Sequence, residues 1–176
     1  MTATSVMSEP LSQEFGELFR EHHGLVYRTA YGVTGSIEDA EDIAQTIFLQ
    51  LLRREFSSSF MKNPRGYLYR AAVNLSLTLV RLRARRMATT DIEDVADSMA
   101  AQASSQTEEY HRKLYEEIAK LPNRAAEMLI LRYQHGYSGA EIAKMLGTSR
   151  SVVEVTLFRA RARLKKILTA APGAEL

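Results

Sequence analysis

Tyr137-Ser138-Gly139-Ala140-Glu141-Ile142-Ala143-Lys144-Met145-Leu146-Gly147-Thr148-Ser149 is the stretch from which the rest of the chain is read. Ser138 followed three residues later by Glu141 is a capping box, so a helix starts there. Ile142, Ala143 and Leu146 give that helix one apolar stripe, and Gly147 stands where a left-handed residue ends it. Ser149 then caps a second helix, in which Val153, Leu157, Ala160, Leu164 and Ile167 recur at helical spacing. Two helices joined by a tight glycine-containing turn, the second one basic, read as a helix-turn-helix. An ordinary hairpin of two helices has the same spacing, and the basic residues beyond Phe158 favour DNA.

Charge is segregated along the chain. Lys62 to Arg86 holds seven basic residues and no acid, and Arg150 to Lys166 holds six against the single acid Glu154. Glu38–Asp42 and Asp91–Asp97 carry four acids each and no base, so the net charge of +2 conceals separate basic and acidic segments. Basic segments suit phosphate, because each neutralised phosphate releases counterions. A solvated charged face explains any one run alone; two basic runs on two helical units are harder to explain that way.

Working outward, 1–10 reads as a disordered tail. A helix over 11–33 places Phe15, Leu18, Phe19, Leu25, Val26 and Ala30 on its buried stripe, with His22 and His23 at the surface or boundary. Gly35 breaks the chain, and Ser36 with Asp39 reads as another capping box. The following helix, 37–54, buries Ala40, Ile43, Ala44, Ile47, Phe48 and Leu51, while Asp39, Asp42, Thr46 and Leu49 make a second stripe beside Gln45. That stripe reads equally as a docking surface or as acids suiting the helix dipole. After a serine-rich loop holding Phe56 and Phe60, Asn63-Pro64 opens a helix over 64–86. It buries Leu68, Ala71, Ala72, Leu75 and Leu79. Its other side carries Tyr67, Arg70, Asn74, Leu77, Arg81 and Arg85, a set suited to single-stranded nucleic acid through stacking, base-edge and phosphate contacts, or to plain solvent.

Residues 87–107 have no apolar period and read as a flexible acidic linker. Beyond it, 108–121 is helical with Tyr110, Leu114, Tyr115 and Ile118 inward. Leu121-Pro122-Asn123 turns a corner, and 124–134 carries Met128, Leu129 and Leu131 up to Gly136. The expected fold is all-α: a helical domain over 11–86 and a second over 108–170 containing the helix-turn-helix, with a tail over 171–176.

Several classes are set aside. The chain has no cysteine and four histidines, with no phosphate-cradling glycine loop and no nucleophile spaced to a base, so an enzyme is not expected. Neither a metal nor a cofactor is expected. No run is apolar enough for membrane insertion, and the start lacks a signal-peptide pattern, so the expected compartment is the cytoplasm.

Asp39-Ala40-Glu41-Asp42-Ile43-Ala44-Gln45-Thr46-Ile47-Phe48-Leu49 resembles the polymerase-binding helix of extracytoplasmic-function sigma factors. Asn63-Pro64-Arg65-Gly66-Tyr67-Leu68-Tyr69-Arg70-Ala71-Ala72-Val73-Asn74 resembles their promoter-melting helix. Leu121-Pro122, Leu129-Ile130-Leu131-Arg132-Tyr133, Glu141-Ile142-Ala143, Leu146-Gly147-Thr148-Ser149 and Arg159-Ala160-Arg161-Ala162-Arg163-Leu164 are similar to their carboxy-terminal promoter-binding domain. The resemblance spans about Phe15 to Leu168, with its motifs in family order.

The resemblance implies partners and sites. Asp39, Asp42, Gln45, Phe48 and Leu49 match the surface that meets the clamp helices of the largest subunit of core RNA polymerase, and the flap region is implied as a second contact. Phe56, Phe60, Lys62, Arg65, Tyr67, Arg70 and Asn74 match the side that meets the −10 element and its flipped base. Arg81, Arg83, Arg85 and Arg86 match the basic end that holds duplex backbone. Ser149, Arg150, Ser151, Glu154, Val155, Thr156, Arg159, Arg161 and Arg163 match the helix at the −35 element. Val152, Glu154, Val155 and Thr156 depart from the residues usual there, which implies an unusual −35 sequence or a weaker contact. The implied function is a sigma factor that recognises promoter DNA and promotes transcription initiation, restrained by an anti-sigma factor. The alternative is a helix-turn-helix regulator acting without polymerase, which has no use for the Asp39–Leu49 stripe.

Overall fold

The computed structural model describes residues 9–53, 60, 62–90 and 106–170, and these form seven principal helices with no strand. They are α1 (Glu9–Thr34), α2 (Ile37–Leu52), α3 (Pro64–Thr90), α4 (Gln106–Ala119), α5 (Asn123–Tyr133), α6 (Gly139–Leu146) and α7 (Arg150–Ala170). Most of the expected 87–107 linker lies outside the described residues, and α3 continues four residues past its expected end to Thr90.

The helix boundaries follow from local chemistry. Gly35 (φ 70°) closes α1, and its N–H donates to the Tyr31 carbonyl at 2.8 Å. Ser36 caps α2 by accepting from the Asp39 N–H at 3.3 Å. The reciprocal half of the expected capping box is not what the Asp39 carboxylate provides: it pairs with Arg83 on α3, at 2.5 and 2.8 Å. At α6 the box is complete, since Ser138 Oγ accepts from the Glu141 N–H and Glu141 Oε2 accepts from the Ser138 N–H at 2.8 Å. Such a cap stabilises a helix by about 0.5–2 kcal/mol. Gly147 (φ 62°) ends α6, and Ser149 Oγ accepts from the Val152 N–H at 3.3 Å in the first turn of α7.

Packing divides into two cores. One lies among α1, α2 and α3 and contains Val26, Ala30, Ala40, Ile43, Ala44, Ile47, Phe48, Leu51, Phe60, Leu68 and Ala72. The other is built on α5, α6 and α7, with Met128, Leu131, Ile142, Val153, Leu157 and Leu164. Leu25 and Val33 of α1 and Tyr69, Val73 and Leu77 of α3 belong to this second core. The carboxy-terminal half therefore sits on the amino-terminal half, and α3 is buried on two sides. Full burial of a side chain of this size contributes about 1.5–3 kcal/mol.

Four expectations are corrected. Leu77, assigned to the open side of its helix, is fully buried beneath the carboxy-terminal half. His22, assigned to the surface or boundary, is buried; it lies three and four residues before Leu25 and Val26, on their stripe. Burial holds its imidazole below the usual pKa, opposed by Glu21 and reinforced by Arg65. Phe19 is 38% exposed because its ring sits at a groove rim, and Tyr110 is 59% exposed because residues 107–110 stand clear of the core.

Candidate polymerase and promoter interfaces

The first candidate surface lies on α2. Because 3.6 residues make a turn, burying Ala40, Ile43, Ala44, Ile47, Phe48 and Leu51 leaves Asp42, Gln45, Thr46 and Leu49 exposed. Gln45, Phe48 and Leu49 line a shallow groove between α1 and α2 with Phe15, Phe19, His23, Glu41 and Leu52. Phe48 is buried and forms part of that groove's lining, its ring edge-on to Phe15 (6.3 Å) and Phe19 (4.8 Å). Leu49 and Leu52 are 43% and 56% exposed beside it. The result is an apolar strip with acids at one end. Asp39 differs from the rest of the predicted set, being half-buried and paired with Arg83.

The second surface lies on α3 and its approach. Phe60 is buried and packs edge-on to Tyr67, ring centres 5.3 Å apart, whereas Phe56 lies outside the described residues. Asn63 caps α3, its Oδ1 accepting from the Gly66 N–H at 2.9 Å while its Nδ2 donates to the Met145 carbonyl on α6. Tyr67, Arg70 and Asn74 share one face, each half-buried, with Arg70 Nε donating to the Gly66 carbonyl. Asn74 Oδ1 is buried and has no hydrogen-bond partner, an amide oxygen kept away from water at a cost. Lys62, Arg85 and Arg86 are exposed.

The carboxy-terminal half occupies several of these groups. Arg81 Nε donates to the Ala119 carbonyl at 2.7 Å and its Nη2 to Asn123 Oδ1 at 3.1 Å. Arg65 donates to the Tyr137 hydroxyl and lies 5.5 Å from that ring's centre. Tyr69 donates to the Glu127 carbonyl at 2.7 Å, and burial drives its phenol well above the ordinary range. Glu127 is buried against the same interface; burial raises its carboxyl, while Arg124 and Arg70 pull it back. Sequence reasoning missed Tyr69, Val73 and Glu127. The available signal was an apolar i, i+4, i+8 series, Tyr69-Val73-Leu77, on the supposed open side of α3.

The third surface is the outer side of α7. Ser149, Arg150, Ser151, Glu154, Val155, Arg159, Arg161 and Arg163 are all exposed, and Thr156 is half-buried. Glu154 pairs with Arg150 at 3.9 Å and also leans over the start of α6, where Gly139 leaves room for its carboxylate. Val152, Val155 and Phe158 are 48%, 48% and 66% exposed, so the basic face carries apolar contacts as well. Among the described residues no group of acids and histidines is arranged to hold a metal, and no helix is long and apolar enough to cross a membrane.

Two family models match the chain, one on each side of residues 87–107. The model of Sigma-70 region 2 matches residues 18–86, and that of Sigma-70 region 4 matches 111–164. The ECF RNA polymerase sigma factor SigM of Mycobacterium tuberculosis is 32% identical over 154 residues, spanning 88% of this chain and 76% of that protein. The chain belongs to the ECF sigma factors. SigW of Bacillus subtilis is 26% identical over 165 residues, spanning 88% of both chains. The solved structure of CnrH in complex with the cytosolic domain of CnrY shares the fold, with a TM-score of 0.52 at 24% identity over 91% of this chain and 90% of that one. As a sigma factor, the protein associates with RNA polymerase, recognises promoter DNA and serves transcription initiation; a regulator acting without polymerase is not favoured. Sigma factors are initiation factors and not known catalysts.

Proposed function

We propose that the three surfaces divide the work of initiation. The strip formed by Asp42, Gln45 and Leu49, with Phe48 beneath and Asp39 at its end, docks on the clamp helices of core polymerase. The Phe60, Tyr67, Arg70 and Asn74 side of α3 receives the −10 element, with Lys62, Arg65, Arg81, Arg83, Arg85 and Arg86 on backbone phosphate. The exposed side of α7 enters the major groove at the −35 element, where Glu154 accepts from a cytosine amino group and Val155 meets a thymine methyl. The observation that carries this reading is the α2 groove: an exposed strip of apolar residues with acids at one end, with a rigid aromatic floor. A DNA-only regulator has no use for it.

On this reading the working units are 11–86 and 108–170, and the protein does no bond chemistry of its own and works in the cytoplasm. The CnrH structure is a complex with CnrY. By analogy, a proteinaceous inhibitor restrains this chain as well, covering the α2 groove or α7.

The test is co-purification with bacterial core RNA polymerase, followed by transcription from a pool of genomic fragments. Discrete start sites are expected, and Asp42→Arg should remove polymerase association while leaving the fold intact, since Asp42 is exposed. Unchanged affinity in that variant sinks the docking assignment. Arg159→Ala should lower promoter affinity and flatten its salt dependence by about one counterion unit. An unaltered slope means that this guanidinium does not meet phosphate.

A further inference from the structure

We propose that the outward stripe of α7 reads the −35 element through the C5-methyl groups of its pyrimidines, with Val155 and Phe158 as the residues that set the sequence preference. This rests on the assignment of α7 to the −35 major groove made above, and it names what that helix recognises there.

α7 carries two apolar stripes. Val153, Leu157, Ala160 and Leu164 are buried at i, i+4, i+7 and i+11. Ser151, Val155, Phe158 and Ala162 repeat that spacing on the opposite side of the helix, and all four are exposed. Phe158, at 66%, is the most exposed large apolar side chain among the described residues. The inner stripe holds the helix-turn-helix together, and the outer one faces away from it.

The outer stripe is almost without hydrogen-bonding groups. Ser151 supplies one hydroxyl, 3.0 Å from the hydroxyl of Ser149, while Val155, Phe158 and Ala162 supply none. Glu154, four residues before Phe158, stands at the stripe's edge, where it pairs with Arg150 and leans toward the start of α6. A surface of this kind cannot read the donor and acceptor pattern of base edges. The apolar group that the major groove presents is the C5-methyl of thymine, and a cytosine methylated at C5 carries the same group.

Charge frames the stripe. By helical phase Arg161 lies to one side of it, and Arg159 and Arg163 lie to the other. Residues 159–166 hold five basic residues and no acid, while Arg150 and Glu154 cancel within 150–158. An apolar centre between cationic flanks matches a groove whose floor is bases and whose walls are phosphate strands. A partner helix would fit the same spacing only if it carried acids along both its edges. Reach agrees as well. At about 1.5 Å per residue, Val155 and Phe158 stand ~4.5 Å apart along the axis, near the ~3.4 Å of one base-pair step, so they meet adjacent pairs.

The experiment uses the full chain assembled with core RNA polymerase and the promoter fragments recovered by transcription with it. Each fragment is remade with deoxyuridine for thymidine in its −35 region alone, which keeps base pairing and removes only the methyl group. Binding should weaken by about fourfold for each contacted methyl, in two adjacent base pairs. Val155→Ala and Phe158→Ala, both at exposed sites, should each bind the thymine and uracil forms equally at one of those pairs. At the same pairs 5-methylcytosine should bind about fourfold better than cytosine. Equal binding of the thymine and uracil fragments by the unaltered chain overturns the proposal, as does a uracil penalty that survives in both variants. A 5-methylcytosine that binds no better than cytosine overturns recognition of the methyl group itself. Arg159→Ala separates this from the −35 assignment. A flattened salt dependence with no uracil effect keeps α7 on DNA and removes methyl reading; an unaltered slope with no uracil effect removes both. A Phe158→Ala chain that binds promoter normally but loses polymerase makes the stripe a protein-docking surface, which also overturns the proposal.

Discussion

α2 and α3 are neighbours with similar claims on the sequence, and they differ in how many partners they bury against. α2 packs on one side only, so its six buried residues follow one helical stripe and its far side is left open. α3 packs against α1 and α2 with Leu68 and Ala72, and against the carboxy-terminal half with Tyr69, Val73 and Leu77. A helix held on one side shows its role in its periodicity. A helix held on two sides carries apolar residues most of the way round, and no single stripe distinguishes a solvent face from a second interface.

This contrast is open to direct attack, starting with the largest effect. Tyr69→Ala should cost about 3–5 kcal/mol in urea unfolding, because a fully buried ring and its hydrogen bond are both lost. Leu49→Ala on the open side of α2 should stay within about 0.5 kcal/mol. Equal costs would dissolve the distinction between the two helices. A finer cut is Tyr69→Phe, which leaves the Glu127 carbonyl without that donor and should cost about 1–2 kcal/mol. A neutral result would place water at that carbonyl.

Asp39→Asn probes the ion pair between α2 and α3. Arg83 in that pair is half exposed, so solvent screening limits the loss to about 1 kcal/mol or less. A larger loss would make this pair part of the α2–α3 core.

The smallest expected effect is one of pH, and it tests only the second side of α3. Burial lowers the pKa of His135, and Arg28 and Arg65 lower it further. The neutral ring is thus the form that fits between the halves, against Thr29, Tyr69 and Tyr137. Its contribution is present above the ordinary value of 6.5 and is lost as pH falls through the depressed value. A pair of dyes, one on each half, should report separation growing below about pH 6.5. His135→Phe should flatten that response; a response of the same size in the variant would assign it to another group.

Much of this was legible in advance, for local reasons. Ser138, Glu141 and Gly147 specify α6 by chemistry contained within a dozen residues, and the helix begins and ends where they stand. The exposed Gln45 and Leu49 strip follows once Ile43 and Ile47 are given to the core. What escaped was non-local. Nothing near Ser36 says that the Asp39 carboxylate leaves its own helix for Arg83. His22 is polar by type and buried by position, and only its register with Leu25 and Val26 shows that. The arginines of α3 read as a basic face, but a sequence does not state that Arg81 spends its guanidinium on a carbonyl from a helix that begins twenty-five residues later.

Tyr69, Val73 and Leu77 also set a schedule during synthesis. When Leu77 has been made, roughly ninety residues separate it from Leu164, the last buried side chain of the half that covers it. At about 5–20 residues per second, that strip waits on the order of 5–20 s for its cover. Through that interval the nascent amino-terminal bundle displays an apolar ridge, the kind of transient surface that drives aggregation. Arg65, Arg70 and Arg81 border the ridge, and like charges at such a border keep sticky segments of neighbouring chains apart. The arginines proposed to hold DNA in the finished protein thus serve first as its gatekeepers.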